Sequence, residues 1–145
     1  MSKPKKRIRP ISLGLIEHEG HIFVSQGEDP ATQETYYRFL GGGIDFGETS
    51  QQALLREFKE EIGAALVEVE YLTCIDNLFQ LGGDRKHELV QLFRAKFSDP
   101  AFYALQERFQ LIEGDLVKEA FWLETARVRN GECRLVPECC VEFLS

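Results

Sequence analysis

The sequence predicts one α+β domain, and three observations carry that expectation. The chain has 145 residues, of which 43% are hydrophobic and 28% charged, enough to bury a single core without disulfide or metal staples. Short apolar runs of strand type alternate with one strongly capped amphipathic segment of helix type. No repeat, linker or low-complexity stretch divides residues 1–145. Residues 1–9 are set apart only as a basic, mobile N-terminal tail.

In chain order, residues 11–16 and 21–26 are apolar runs flanking Glu19-Gly20, the pattern of a hairpin. Residues 36–40 are aromatic-rich and read as a short strand ending at Gly41-Gly42-Gly43. Thr49 with Gln52 forms a capping-box pattern, and Gly63 suits a left-handed helix end. Between them Leu54, Leu55, Phe58 and Ile62 share one helical sector, the expected buried stripe. Residues 67–72 alternate, with Val67, Val69 and Tyr71 on one face. Gly82-Gly83 turns the chain into a strand over 87–97, whose Leu89, Phe93, Ala95 and Phe97 share a face. Residues 98–115 are ambiguous, with Phe102, Leu105 and Phe109 at helix-like spacing. A last strand is expected over 117–123, and Pro137 in a first helical position opens a C-terminal helix through Leu144.

Composition excludes several classes of function. The formal charge is −7, yet Lys3, Lys5, Lys6, Arg7 and Arg9 crowd the first ten residues. The remainder carries 12 bases against 24 acids, a poor generic nucleic-acid surface, so no DNA partner is expected. No apolar run reaches the roughly 18 residues of a membrane span, and the basic start lacks a small-residue cleavage site. A cytoplasmic protein without a membrane partner is expected. Cys74, Cys133, Cys139 and Cys140 contain no CxxC pair, so they read as free thiols and no zinc site is expected.

The chemistry concentrates in residues 41–64. Glu57, Glu60 and Glu61 fall within one turn of the expected helix, and Lys59 points elsewhere. Like charges at that spacing cost a few tenths of a kcal/mol per pair. Unless a cation sits among them, they also raise one another's pKa values. Glu48 stands just before the N-cap, and a glycine-rich turn that lets backbone approach a ligand leads into the helix. Oxygen-only donors suit a hard divalent ion, Mg2+ or Mn2+.

Residues 42–64, GGIDFGETSQQALLREFKEEIGA, resemble the box of the Nudix hydrolases: Gly, five residues, Glu, seven residues, then Arg-Glu-aliphatic-x-Glu-Glu-x-Gly-aliphatic. Gly42, Glu48, Arg56, Glu57, Glu60, Glu61 and Gly63 all match, whereas Phe58 and Ala64 replace bulky aliphatics. At average residue usage such a match arises by chance on the order of one time in a million, which makes the pattern specific. The resemblance implies the Nudix fold, a mixed β-sheet sandwiched between α-helices. It implies Mg2+- or Mn2+-dependent hydrolysis of the pyrophosphate bond in a nucleoside diphosphate linked to another group. A nucleoside triphosphate or ADP-sugar would be such a substrate, and a nucleoside monophosphate would be released. It further implies that Glu57, Glu60, Glu61 and the Gly41 carbonyl hold metal. Glu57 serves as a further ligand or as the base, and Arg56 with Glu48 forms a supporting ion pair.

Outside the box, Arg9 and Arg38 are candidate phosphate contacts, and Tyr36, Tyr37 or Phe39 could stack a base. Glu88, Glu107, Glu113 and Asp115 are candidates for a further acid, and His87 is a candidate substrate contact. Residues associated with particular subfamilies are absent: Leu78-Phe79-Gln80 and Leu81-Gly82-Gly83 stand where a proline or a tyrosine would mark ADP-ribose or dinucleoside polyphosphate hydrolases. A non-catalytic nucleotide sensor and an RNA 5′-end pyrophosphohydrolase remain alternative readings, and a homodimer is kept as an expectation.

Overall fold

The computed structural model describes residues 6–145. Nine strands, two α-helices and two 3-10 turns follow in the order β1 (Ile8–Leu15), β2 (Glu17–His18), β3 (His21–Glu28), β4 (Thr35–Arg38), β5 (Leu40–Gly43), α1 (Ser50–Ile62), β6 (Leu66–Leu81), β7 (Asp84–Phe97), a 3-10 turn (Pro100–Tyr103), β8 (Arg108–Glu113), β9 (Leu116–Glu124), α2 (Thr125–Arg129) and a second 3-10 turn (Glu138–Phe143). The α+β class holds, but the strands form two sheets instead of one. The first has the order β5-β1-β7-β6 and is mixed, with β1 parallel to β7 and the other pairs antiparallel. The second has the order β2-β3-β9-β8, with β4 also paired to β3.

Two apolar clusters hold the layers. Val90 and Leu92 on β7 face a cluster with Ile11, Leu13, Val24 and the C-terminal residues Leu135, Cys140 and Leu144. Phe93 and Phe97 face the other, with Leu54 and Phe58 of α1, Phe23 and Trp122. Burying both faces of β7 is what places α1 and the C-terminal turns on opposite sides. Each fully buried side chain such as Leu54 or Phe58 contributes about 2–3 kcal/mol. Among the described residues no helix is long and apolar enough to cross a membrane.

Several sequence expectations are corrected. The hairpin at Glu19-Gly20 joins only β2 to β3; residues 11–15 leave it to pair with β5 and β7 in the other sheet. Arg9, counted in the basic tail, is a strand residue opposite Glu88, whereas residues 1–5 of that tail lie outside the described residues. The three glycines continue as strand β5 instead of ending one. The alternation over 67–72 is broken by register shifts between Val67 and Glu70 and between Tyr71 and Thr73, and Val67 and Tyr71 are exposed. Residues 108–113 are a strand, and the final helix is a 3-10 turn preceded by the short α2.

Candidate active site

Helix α1 forms where its caps say it should. Thr49 Oγ1 accepts from Gln52 N at 3.1 Å, the Gln52 side chain accepts from Thr49 N at 2.8 Å, and Gly63 closes the helix at φ 69°. Its buried edge is rotated from the expected stripe. Ala53, Leu54, Phe58 and Glu61 are buried, while Leu55 is 37% exposed. Packing against β1, β5 and β8 causes the rotation, and it draws one carboxylate of the acidic turn inward.

Arg56 is the hub of the turn. Its Nη2 donates to Glu48 Oε1 at 2.6 Å and to the Gly43 carbonyl at 2.9 Å, and its Nε donates to Glu48 Oε2 at 3.0 Å. Its Nη1 donates to Glu57 Oε1 at 2.8 Å and to Glu60 Oε2 at 3.2 Å. One guanidinium thus ties the loop after β5 to two carboxylates of α1, a fork geometry that lysine cannot reproduce. The hydrogen bonds from Arg56, helped by the Asp45 amide, pull the Glu48 carboxyl down to about 2.

Linkage gives that depression a sign. The stabilisation is present above the ordinary carboxyl range and is lost as pH falls towards 2. Replacing Glu48 by glutamine is expected to flatten the acid limb of the thermal midpoint between pH 4 and pH 2, read by circular dichroism. An acid limb as steep as that of the wild type would contradict the pairing.

Glu61 sits opposite in character. Only 6% of it is exposed, and burial, reinforced by a hydrogen bond and charge from Glu57 and by the charge of Glu113, pushes its carboxyl up to about 9. Glu57 lies against the glycine strand, where a Cβ on Gly42 would fall 2.6 Å from its carboxyl carbon. Only glycine at 42 leaves space for that carboxylate. Gly41 has φ 148°, and a Cβ there would meet the Ser12 carbonyl oxygen at 1.9 Å.

These donors fit a hard divalent cation. They are all oxygens, one of them is a buried carboxyl whose charged form burial disfavours and a cation would favour, and the Gly42 gap leaves room for the second. Among the described residues no three acidic, histidine or cysteine side chains already form a finished cage, because Glu57 and Glu60 turn to Arg56.

Beside the turn opens a cleft of about 1010 Å³. Gly41, Gly42, Glu61 and Glu113 line it, together with Arg9, Arg38 and Glu88. Arg38 Nη2 donates to the buried Glu88 Oε1 at 2.9 Å. Glu113 pairs with Lys118 at 3.6 Å. Tyr37 does not line the cleft: its ring packs edge-on against Phe121 at 6.1 Å, and burial raises its pKa. Phe39 is core. Tyr36 does line the cleft, over Gly27, where a Cβ would clash with its ring at 2.3 Å. His87, Glu107 and Asp115 are not among the lining residues. Asn77, which donates to Glu88 Oε1 at 3.4 Å, carries no sequence signal, because the alternation predicts a strand only over 67–72 and Asn77 lies further along β6.

A mixed sheet and an antiparallel sheet, with an acidic helix turn held to a glycine strand beside a cleft, define a Nudix-type hydrolase architecture. Comparison with known proteins agrees. The NUDIX domain family matches residues 6–133, and the chain belongs to that family. It is 30% identical to the 8-oxo-dGTP diphosphatase of Haemophilus influenzae over 88% of this chain and 84% of that protein. It is 34% identical to the CTP pyrophosphohydrolase of Escherichia coli over 43% of this chain and 46% of that protein. An RNA pyrophosphohydrolase of Wolbachia sp. subsp. Brugia malayi is 38% identical over 43% of this chain and 38% of that protein. Among solved structures, a NUDIX hydrolase from Nitrosomonas europaea superposes with TM-score 0.65 at 16% identity, covering 94% of this chain and 87% of that one. The MutT NUDIX hydrolase from Burkholderia pseudomallei superposes with TM-score 0.62 at 22% identity, covering 83% and 86%. At those identities the likeness is one of fold.

Proposed function

We propose that this protein is a divalent-cation-dependent hydrolase of nucleoside triphosphates, adding water across a pyrophosphate bond to give a nucleoside monophosphate and pyrophosphate. The observation that carries the reading is the buried Glu61 carboxyl on the α1 side of a cleft that also holds Arg9 and Arg38. One carboxyl of the acidic turn and cationic side chains in one cavity suit a polyanion accompanied by metal, although Glu57 and Glu60 do not line that cavity. The nearly full-length similarity to a nucleoside triphosphate diphosphatase supports that substrate class over an ADP-sugar.

In this reading Glu57, Glu60, Glu61 and the Gly41 carbonyl would hold Mg2+ or Mn2+. The ion, when bound, offsets phosphate charge and makes water more acidic. Arg56, fixed by Glu48 and the Gly43 carbonyl, keeps the acidic turn against the glycine strand. Glu57, seated where Gly42 has no side chain, would be a further ligand or the base that takes a proton from water. Arg9 and Arg38 would bind acceptor oxygens of the nucleotide in the cleft.

The test is a panel of ATP, GTP, CTP, UTP, 8-oxo-dGTP, ADP-ribose and a 5′-triphosphorylated RNA oligonucleotide, incubated with Mg2+ and followed by chromatography. Monophosphate from at least one free triphosphate, lost on adding EDTA, is expected. Turnover of ADP-ribose or of the RNA end alone would replace the reading. No turnover of any compound would overturn it in favour of a nucleotide sensor.

A further inference from the structure

Glu88 is a carboxylate only 5% exposed, on the central strand β7. The register sets Arg9 of β1 and Asn77 of β6 directly beside it, one on each neighbouring strand. Arg38 arrives from β4 in the other sheet. Glu88 Oε1 accepts from Arg38 at 2.9 Å and from Asn77 at 3.4 Å, while Oε2 has Arg9 Nη1 at 4.0 Å. All four residues line the cleft. Arg9 also lies alongside the glycine strand, with Nη2 3.3 Å from where a Gly43 Cβ would stand.

A buried carboxylate is costly unless paired, and the ordinary partner would be one cation facing it. Here two guanidinium groups from different sheets converge on one carboxylate, and each presents more N–H donors than Glu88 can accept. The side chain of Arg38 is 27% exposed and that of Arg9 is 64% exposed, so their remaining donors are open to the cleft. Holding a long cationic side chain in place before a ligand arrives lowers the entropy cost of binding.

The geometry points to Glu88 as a positioning residue: it holds Arg38, and through charge Arg9, so that their spare donors meet the acceptor oxygens of the nucleotide. This rests on the nucleotide-hydrolase reading above. Glu88 itself contacts neither the acidic turn nor the reacting bond in this assignment. Contacts made equally to substrate and transition state appear in KM and leave kcat in place.

The sign of the effect separates positioning from charge alone. Removing one negative charge from a cleft that takes a polyanion should tighten binding if only net charge mattered. Positioning predicts the reverse.

The test measures kcat and KM of wild type, Glu88→Gln, Arg38→Ala and the double variant, with whichever of ATP, GTP, CTP and UTP the wild type hydrolyses fastest. Thermal midpoints are taken alongside. Glu88→Gln is expected to raise KM about tenfold, the scale of one charge-assisted contact, with kcat within about twofold. Arg38→Ala should raise KM similarly, and adding Glu88→Gln to it should change KM by less than about twofold. Should Glu88→Gln fail to fold, Glu88→Asp keeps the charge, withdraws it from Arg38 and must also raise KM. A KM that falls or stays level, or fully multiplicative effects in the double variant, would overturn the positioning role. A wild type that turns over no triphosphate would overturn the nucleotide reading itself and remove the ground of this inference with it.

Discussion

Glu61→Gln is expected to abolish metal-dependent hydrolysis while leaving the metal-free protein at least as stable as the wild type. Glutamine keeps the length and shape of the buried side chain, so no cavity opens. What it removes is the ability to carry charge in a place that opposes charge. Because burial holds the Glu61 carboxyl up to about 9, the folded state binds a proton there that the unfolded chain has already released. Stability of the wild type therefore declines as pH rises from the ordinary carboxyl range towards 9, and the variant lacks that decline. Midpoints of the two proteins in EDTA should coincide near pH 4 and separate by pH 8, with the variant higher. Charge stabilisation of a phosphoryl transition state by a held ion is worth several kcal/mol, so turnover should fall by about a thousandfold. A variant that unfolds at low temperature in EDTA would instead make Glu61 a structural residue.

Gly41→Ala is expected to produce the largest loss of stability of any single substitution named here. At φ 148° the backbone occupies a region that L side chains rarely adopt, and the added Cβ would stand 1.9 Å from the Ser12 carbonyl oxygen. That oxygen belongs to a backbone, not to the end of a flexible side chain, so the clash cannot be relieved by a rotamer change. Relief requires β5 to part from β1 at the Ser12–Gly42 and Leu13–Gly41 positions. Strain and lost pairing together should cost about 3 kcal/mol or more, which for a chain of this length lowers the thermal midpoint by about 10 °C. A midpoint within 2 °C of the wild type would contradict the account of this strand.

The contrast between these two positions shows what the sequence made legible. Everything local to α1 could be read: Thr49 and Gln52 cap one end, Gly63 the other, and the spacing of Glu57, Glu60 and Glu61 puts them on one turn. Periodicity gives the angle between side chains but not which neighbour covers an edge, so the spacing turns Leu55 inward, whereas the folded helix buries Glu61 and leaves Leu55 partly exposed. The long β6–β7 hairpin shows in the sequence only in pieces, because its register shifts interrupt the alternation. Glu88 is buried by partners at positions 9, 38 and 77, and no local pattern announces a contact made across such separations. Tyr36 and Tyr37 are adjacent and chemically equivalent, and only the pairing of β4 with β3 decides which of them reaches the cleft.

On this reading the acidic turn of α1 gathers a divalent cation at the edge of the cleft. Titrating Mn2+ into the folded protein, with free ion followed by electron paramagnetic resonance, measures this without any substrate. Saturable binding in the wild type, sharply weakened by Glu60→Gln and by Glu61→Gln in variants that keep their fold, is the predicted result. Equal binding in all three proteins, or no saturable binding in the wild type, would contradict it.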